Sequence, residues 1–125
     1  MARILVIDDE PEIVSMLEMA LSDIHHVHPA NSGRAGLSLL REHTFDLVIT
    51  DIFMPEVDGF EIIMKVNTMY PRPHVIAMSG FSAKVKFDCL ADVAAALGVD
   101  QVLYKPFSIN DLLKTLSRYE YCAEG

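Results

Sequence analysis

The sequence predicts an α/β fold: five parallel strands with helices packed on both faces of one sheet. Short apolar runs such as Ile4-Leu5-Val6-Ile7 and Leu47-Val48-Ile49-Thr50 alternate with segments of helical apolar period. Apart from Thr50 these runs are apolar throughout, as strands covered on both faces are. They end on charged or polar residues, with Asp8 and Asp9 after the first, Asp51 after the third, Ser79 after the fourth and Lys105 after the fifth. Open α/β sheets gather their chemistry at the carboxyl ends of parallel strands, so these side chains have a common place to meet.

Each element has its own signature. Ile4 to Ile7 is the first strand, and Pro11 stands where a first helical turn tolerates it. Ile13, Met16, Leu17, Ala20, Leu21 and Ile24 then recur at i, i+3, i+4 spacing, marking one amphipathic helix. His25 to Pro29 is a short second strand, and Asn31 or Ser32 can cap a second helix carrying Leu37, Leu39 and Leu40. Asp46 to Thr50 is the third strand. A loop with Pro55 follows, and Gly59 opens a helix with Ile62, Ile63, Val66 and Met69 on its stripe. His74 to Met78 is the fourth strand, and Phe87, Leu90, Ala94 and Leu97 mark a fourth helix stopped at Gly98. Gln101 to Tyr104 is the fifth strand, and Ile109, Leu112, Leu113 and Leu116 stripe a fifth helix. Five βα units make a parallel sheet with helices on both sides.

The bulk numbers bound the function. A chain of 125 residues suits a single domain, residues 1–125, with one full core. Its composition, 51% apolar and 22% charged, is that of a globular protein. A net charge of −8 argues against direct nucleic-acid binding, which rests on clustered Lys and Arg. No apolar run is long enough to cross a bilayer, and Met1-Ala2-Arg3 leads straight into a strand with no room for a signal peptide. Cys89 and Cys122 lack metal spacing and read as reduced thiols in the cytoplasm.

Three acids brought together would repel: two unit charges about 5 Å apart cost about 3 kcal/mol at an effective dielectric near 20. Lys105 supplies part of the compensation, and a hard divalent cation with room for a phosphoryl group completes it. Taken singly, each residue has a plainer reading. Asp8-Asp9 can cap a helix, and Glu10 reads as little more than an acid favoured by the helix dipole. Asp51 can cap a loop, Lys105 can be solvated before a proline, and Ser79 can be a turn residue. All of these would have to hold at once. Met54 reads as packing, Glu56 and Asp58 as solvated acids, and Asp58 also as the cap of the third helix. His26 and His28 share a strand face while His25 points away, which fits surface histidines better than a metal cluster.

From Ile4-Leu5-Val6-Ile7-Asp8-Asp9-Glu10 to Lys105-Pro106-Phe107 the chain closely resembles the receiver domain of two-component response regulators. The motifs are the early acidic pair, Asp51 with Met54-Pro55 and Asp58-Gly59 behind it, Ser79, and Lys105-Pro106. The resemblance implies a flavodoxin-like doubly wound sheet of order 2-1-3-4-5 with five helices. It implies Asp51 as phosphoacceptor for a sensor histidine kinase or phosphotransfer protein. Mg²⁺, or alternatively Mn²⁺, would be held by Asp9 directly, Asp8 largely through water, Asp51, and the Phe53 backbone carbonyl. Ser79 and Lys105 would bind phosphoryl oxygens. A downstream protein target would read the fourth and fifth helices, and the domain would be a monomer or a phosphorylation-dependent dimer. It would be a phosphoacceptor that assists its own phosphotransfer and dephosphorylation rather than an enzyme.

The chain departs from that pattern in three places. Val102 stands where the family usually carries Tyr or Phe, three residues before its lysine, and Tyr104 is not the matching position. The stretch between Ser79 and Gly98, with Gly80-Phe81-Ser82 and Ala94-Ala95-Ala96, is about one helical turn longer than is common. Phe53 and Phe81 each lie two residues beyond a site residue, where they either keep water from a phosphoryl group or simply pack on neighbouring loops. Two other functions compete. A haloacid-dehalogenase-type phosphatase also uses an aspartyl nucleophile but needs a second Asp where this chain has Phe53. A degenerate receiver would bind partners unphosphorylated, yet Asp8, Asp9, Asp51, Ser79 and Lys105 are all retained.

Overall fold

The computed structural model describes residues 2–80 and 98–124. Within them the chain forms β1 (Arg3–Ile7), α1 (Pro11–Leu21), β2 (His26–Ala30), α2 (Gly33–Glu42), β3 (Leu47–Asp51), α3 (Gly59–Val66), β4 (His74–Ser79), β5 (Gln101–Tyr104) and α4 (Ile109–Glu124). The last is the helix predicted fifth; the one predicted on Phe87, Leu90, Ala94 and Leu97 lies outside the described residues. All neighbouring strands pair in parallel, in the order β2-β1-β3-β4-β5. The expected flavodoxin-like order holds.

Alternation along the strands builds two core layers, because successive side chains leave a strand on opposite faces. Ile4, Val6, Leu47, Ile49, Ile76 and Met78 pack with Leu17 and Leu21 of α1 and Leu112 and Leu116 of α4. Leu5, Ile7, Val48 and Val75 pack with Leu40 of α2 and with Ile62, Ile63 and Val66 of α3. The chain moves one way along the sheet from β1 to β2 and returns the other way, past β1, from β2 to β3. With right-handed crossovers, α1 and α2 must then cover opposite faces. Ile4, Leu5, Ile7, Leu47 and Ile49 are fully buried, each stabilising the fold by about 1.5–3 kcal/mol relative to exposure.

Several boundaries differ from the sequence reading. β3 and β4 each run one residue further, to Asp51 and Ser79, so both side chains are fixed by the sheet itself. β2 begins at His26 rather than His25 and includes Pro29, which an edge strand paired on one side tolerates. α1 ends at Leu21, where the Ser22 hydroxyl and N–H both donate to the Glu18 carbonyl, and Ile24 lies beyond it, exposed. Ser32, not Asn31, caps α2 by accepting from the Ala35 N–H, and Asp58 caps α3 as expected. Ser108 and Asp111 cap the start of α4 reciprocally, each side chain accepting from the other's N–H.

The loop from β3 to α3 is held by close approach. A Cβ at Gly59 would collide with the Asp51 carbonyl and the Ile52 Cα, and the Gly59 N–H donates to the Ile52 carbonyl at 2.8 Å. The start of α3 therefore rests on the backbone that presents Asp51. Gly59→Ala should destabilise the fold by about 1–3 kcal/mol, read as a lower urea midpoint at unchanged m-value. An unmoved midpoint would mean that the end of β3 shifts aside freely.

Candidate functional site

The carboxyl edge of the sheet gathers the residues that the sequence singled out. β1 and β3 are neighbours at the point where the strand order reverses, the usual position for a binding crevice in such sheets. Asp8 follows β1 directly, its N–H donating to the Ala30 carbonyl at 3.1 Å, and its side chain is fully buried. Asp51 closes β3 and is 5% exposed, while Asp9 faces solvent. One carboxylate oxygen from each of Asp8, Asp9 and Asp51 lies within 4.8 Å of the others. Among the described residues, no other group of three or more His, Cys, Asp or Glu side chains is placed to share an ion. The histidines are accordingly not a cluster of that kind. His25 Nδ1 accepts from the Ala2 N–H, and half-buried His28 lies against His43 at a 44° tilt and meets Phe45 edge-on.

Lys105 reaches this pocket from β5. Its N–H donates to the Ser79 carbonyl at 2.7 Å, which fixes the backbone, and its Nζ crosses to the acids. Nζ lies 2.6 Å from Asp8 Oδ2, 3.1 Å from Glu10 Oε1 and 3.4 Å from Asp51 Oδ2. The Glu10 contact goes beyond the helix-start role that its sequence position suggests. Glu10 is the N-cap residue of α1 but makes no side-chain cap bond, and its carboxylate turns to Lys105 instead. No local pattern announces this, because the partners are 95 residues apart in sequence.

Ser79, the last residue of β4, is buried beside the end of β3, where the Ile52 N–H donates to the Met78 carbonyl. Its hydroxyl donates to the Gly80 carbonyl at 3.2 Å. Phe53 is exposed at the mouth and leans edge-on against Phe60, with ring centroids 6.2 Å apart. Phe81, the other ring expected there, lies outside the described residues. Val102 sits opposite Ala77 in the sheet, and Tyr104 packs against Ile52 and Ala77.

Burial governs the electrostatics. It pushes the Asp51 carboxyl up to about 6, opposed by the charge of Lys105 and reinforced by that of Asp8. Burial also raises Asp8, although its bonds to Lys105 and to the Glu10 N–H oppose it. For Lys105 burial alone would lower the pKa, but the bond to Asp8 and the charge of Asp51 hold it above its ordinary value. One ammonium thus faces three carboxylates, with Asp9 beside them. A site of hard oxygen donors with excess negative charge suits a divalent cation such as Mg²⁺.

A family model for the response regulator receiver domain matches residues 4–117. The chain is 36% identical over 121 residues to the virulence sensor protein BvgS of Bordetella pertussis, covering 92% of this chain and 10% of that protein. It is 36% identical over 106 residues to the response regulator GtcR of Aneurinibacillus migulanus, covering 84% of this chain and 42% of that protein. The chain thus spans less than half of either curated relative. Among solved structures, the chemotaxis protein CheY4 of Vibrio cholerae superposes with a TM-score of 0.81 at 30% identity, covering 94% of this chain and 98% of that one. A receiver domain protein from Clostridium thermocellum gives 0.79 at 31% identity, covering 98% and 99%.

The raised Asp51 pKa has a consequence for stability. A folded-state pKa above the unfolded value means that the folded chain binds more protons between 3.8 and about 6. Its stability must fall as pH rises through that window, and stays lower above it. Asp51→Asn removes this contribution. In chelator-treated protein the unfolding free energy of wild type relative to Asp51→Asn should drop by at most about 3 kcal/mol from pH 4 to pH 7. A pH-independent difference in urea unfolding would show that ionising Asp51 carries no cost in the folded state.

Proposed function

The chain belongs to the response regulator receiver family, and on that premise we propose that it is a phosphoryl-acceptor switch with Asp51 as the acceptor. The convergence of Asp8, Asp9 and Asp51 around the Lys105 ammonium carries this reading. The donor is the phosphohistidine of a sensor histidine kinase or a phosphotransfer protein. The Asp51 carboxylate attacks phosphorus as the P–N bond breaks, and that electron pair stays on the donor imidazole. An ionised carboxylate has no proton to lose, so no general base is needed.

Phosphoryl transfer depends mainly on positioning and charge stabilisation. Lys105 Nζ, already 3.4 Å from Asp51, pairs with a phosphoryl oxygen. The Ser79 hydroxyl exchanges the Gly80 carbonyl for another. Asp8, Asp9, Asp51 and the Phe53 carbonyl would hold Mg²⁺, with Mn²⁺ as a substitute. When bound, that ion supplies charge neutralisation at the phosphoryl oxygens. Water attacking phosphorus later regenerates Asp51, so the domain turns over only its own phosphoryl group.

Phosphate can shift the domain between states only by its preference for one of them. The output reaches a downstream protein through the predicted fourth helix and α4, acting as a monomer or as a phosphorylation-dependent dimer. No helix among the described residues is long and apolar enough to cross a membrane. A cytoplasmic setting, where histidine kinases present their phosphohistidine, fits this reading.

Acetyl phosphate should label the wild-type protein only with Mg²⁺ present, at Asp51 by mass mapping. Asp51→Asn should not label, and Lys105→Ala should label more slowly, by on the order of 100-fold. Label on another residue, or labelling indifferent to Mg²⁺, would reject the assignment.

A further inference from the structure

Of the three N–H donors on Lys105 Nζ, two are spent in hydrogen bonds to Asp8 and Glu10, and Asp51 is met only as a longer ion pair at 3.4 Å. Closing in on a phosphoryl group at Asp51 draws Nζ away from one of the two hydrogen-bonded acids. The Asp8 contact is the shortest, and that carboxylate is immobile: its side chain is fully buried and its other oxygen accepts from the Glu10 N–H at 2.9 Å. Asp51 is the acceptor itself and is fixed as the last residue of β3. Glu10 differs from both. Its side chain is 59% exposed, it makes no cap bond to α1, and its contact with Nζ is 3.1 Å.

We propose that Glu10 is a positioning residue that holds Lys105 in the resting site and releases it to the incoming phosphoryl group. This deepens the phosphoacceptor reading and rests on it. A partly exposed ion pair is weak, so Glu10 can retain the lysine without locking it. The same carboxylate adds negative charge at the mouth through which an anionic donor must enter. Its loss therefore acts on entry and on release in the same direction, toward faster phosphorylation.

Length separates the two contributions. Glu10→Gln removes charge and ion pair together. Glu10→Asp keeps the charge but shortens the arm, and aspartate at an N-cap turns to the helix N–H groups that glutamate leaves untouched here. With acetyl phosphate and Mg²⁺, both variants should label at Asp51 about two- to fivefold faster than wild type, the scale of an exposed ion pair. In the metal-free resting protein, the Lys105 Nζ nitrogen resonance should move in both variants. A change in fold alone would not shift that signal while leaving the rest of the spectrum in place. Glu10→Asp labelling at the wild-type rate would reduce Glu10 to a surface charge and overturn the proposal. So would an unmoved Lys105 resonance, or unchanged rates in both variants beside normal labelling of wild type. If wild type itself does not label at Asp51, the phosphoacceptor reading fails and takes this inference with it.

Discussion

The site depends on one ammonium shared among buried acids. Lys105 and Asp8 are 97 residues apart in sequence and 2.6 Å apart in space, and neither is comfortable alone. A buried charge stripped of its partner costs about 3–5 kcal/mol. Asp8 has the start of α1 on one side and the end of β2 on the other, through its bonds to Glu10 and Ala30. Lys105 is tied to β4 through the Ser79 carbonyl. The pair therefore joins β1 to β5 across the carboxyl edge, although no backbone hydrogen bond links those strands.

The sheet makes this convergence cheap. Parallel strands bring their carboxyl ends to one edge, and the reversal between β1 and β3 opens a crevice there rather than a packed surface. Two apolar layers hold the frame from both sides, so Asp51 sits on a rigid strand end and Asp8 and Asp9 follow directly on the end of β1. Asp51 and Ser79 are themselves strand residues. The exposed chain begins only after them, with Phe53 on one side and Gly80 on the other.

Most of the frame was legible in the sequence because burial on both faces leaves a plain mark. Ile4 to Ile7 and Leu47 to Thr50 read as strands since every residue is apolar or small enough to be covered. β2 was shifted by one residue because an edge strand with histidines and a proline carries no such mark. α1 is shorter than its apolar period, which continues to Ile24 while the helix stops at Leu21 with Ser22 as its C-cap. The acids and the lysine were legible from position alone, each at a strand end. Glu10 was not, because its helix-start position offers a complete local explanation. The alternative partner exists only once β5 is placed across the edge.

The burial that strains this site also tunes it. Pushing the Asp51 carboxyl up to about 6 means that its ionised form is disfavoured in the folded chain. That cost lies in the same carboxylates that a cation or phosphoryl group would engage. A divalent ion at these acids would relieve it by offsetting the charge that burial penalises, and the cost of ionising them in the folded chain would return as binding free energy. Lys105 offsets part of the charge in advance. Were its compensation complete, little would remain to draw in a cation, and with none the acids would be driven toward their neutral forms. One lysine paired with three carboxylates, and Asp9 beside them, lies between those limits, leaving the pocket both folded and short of positive charge.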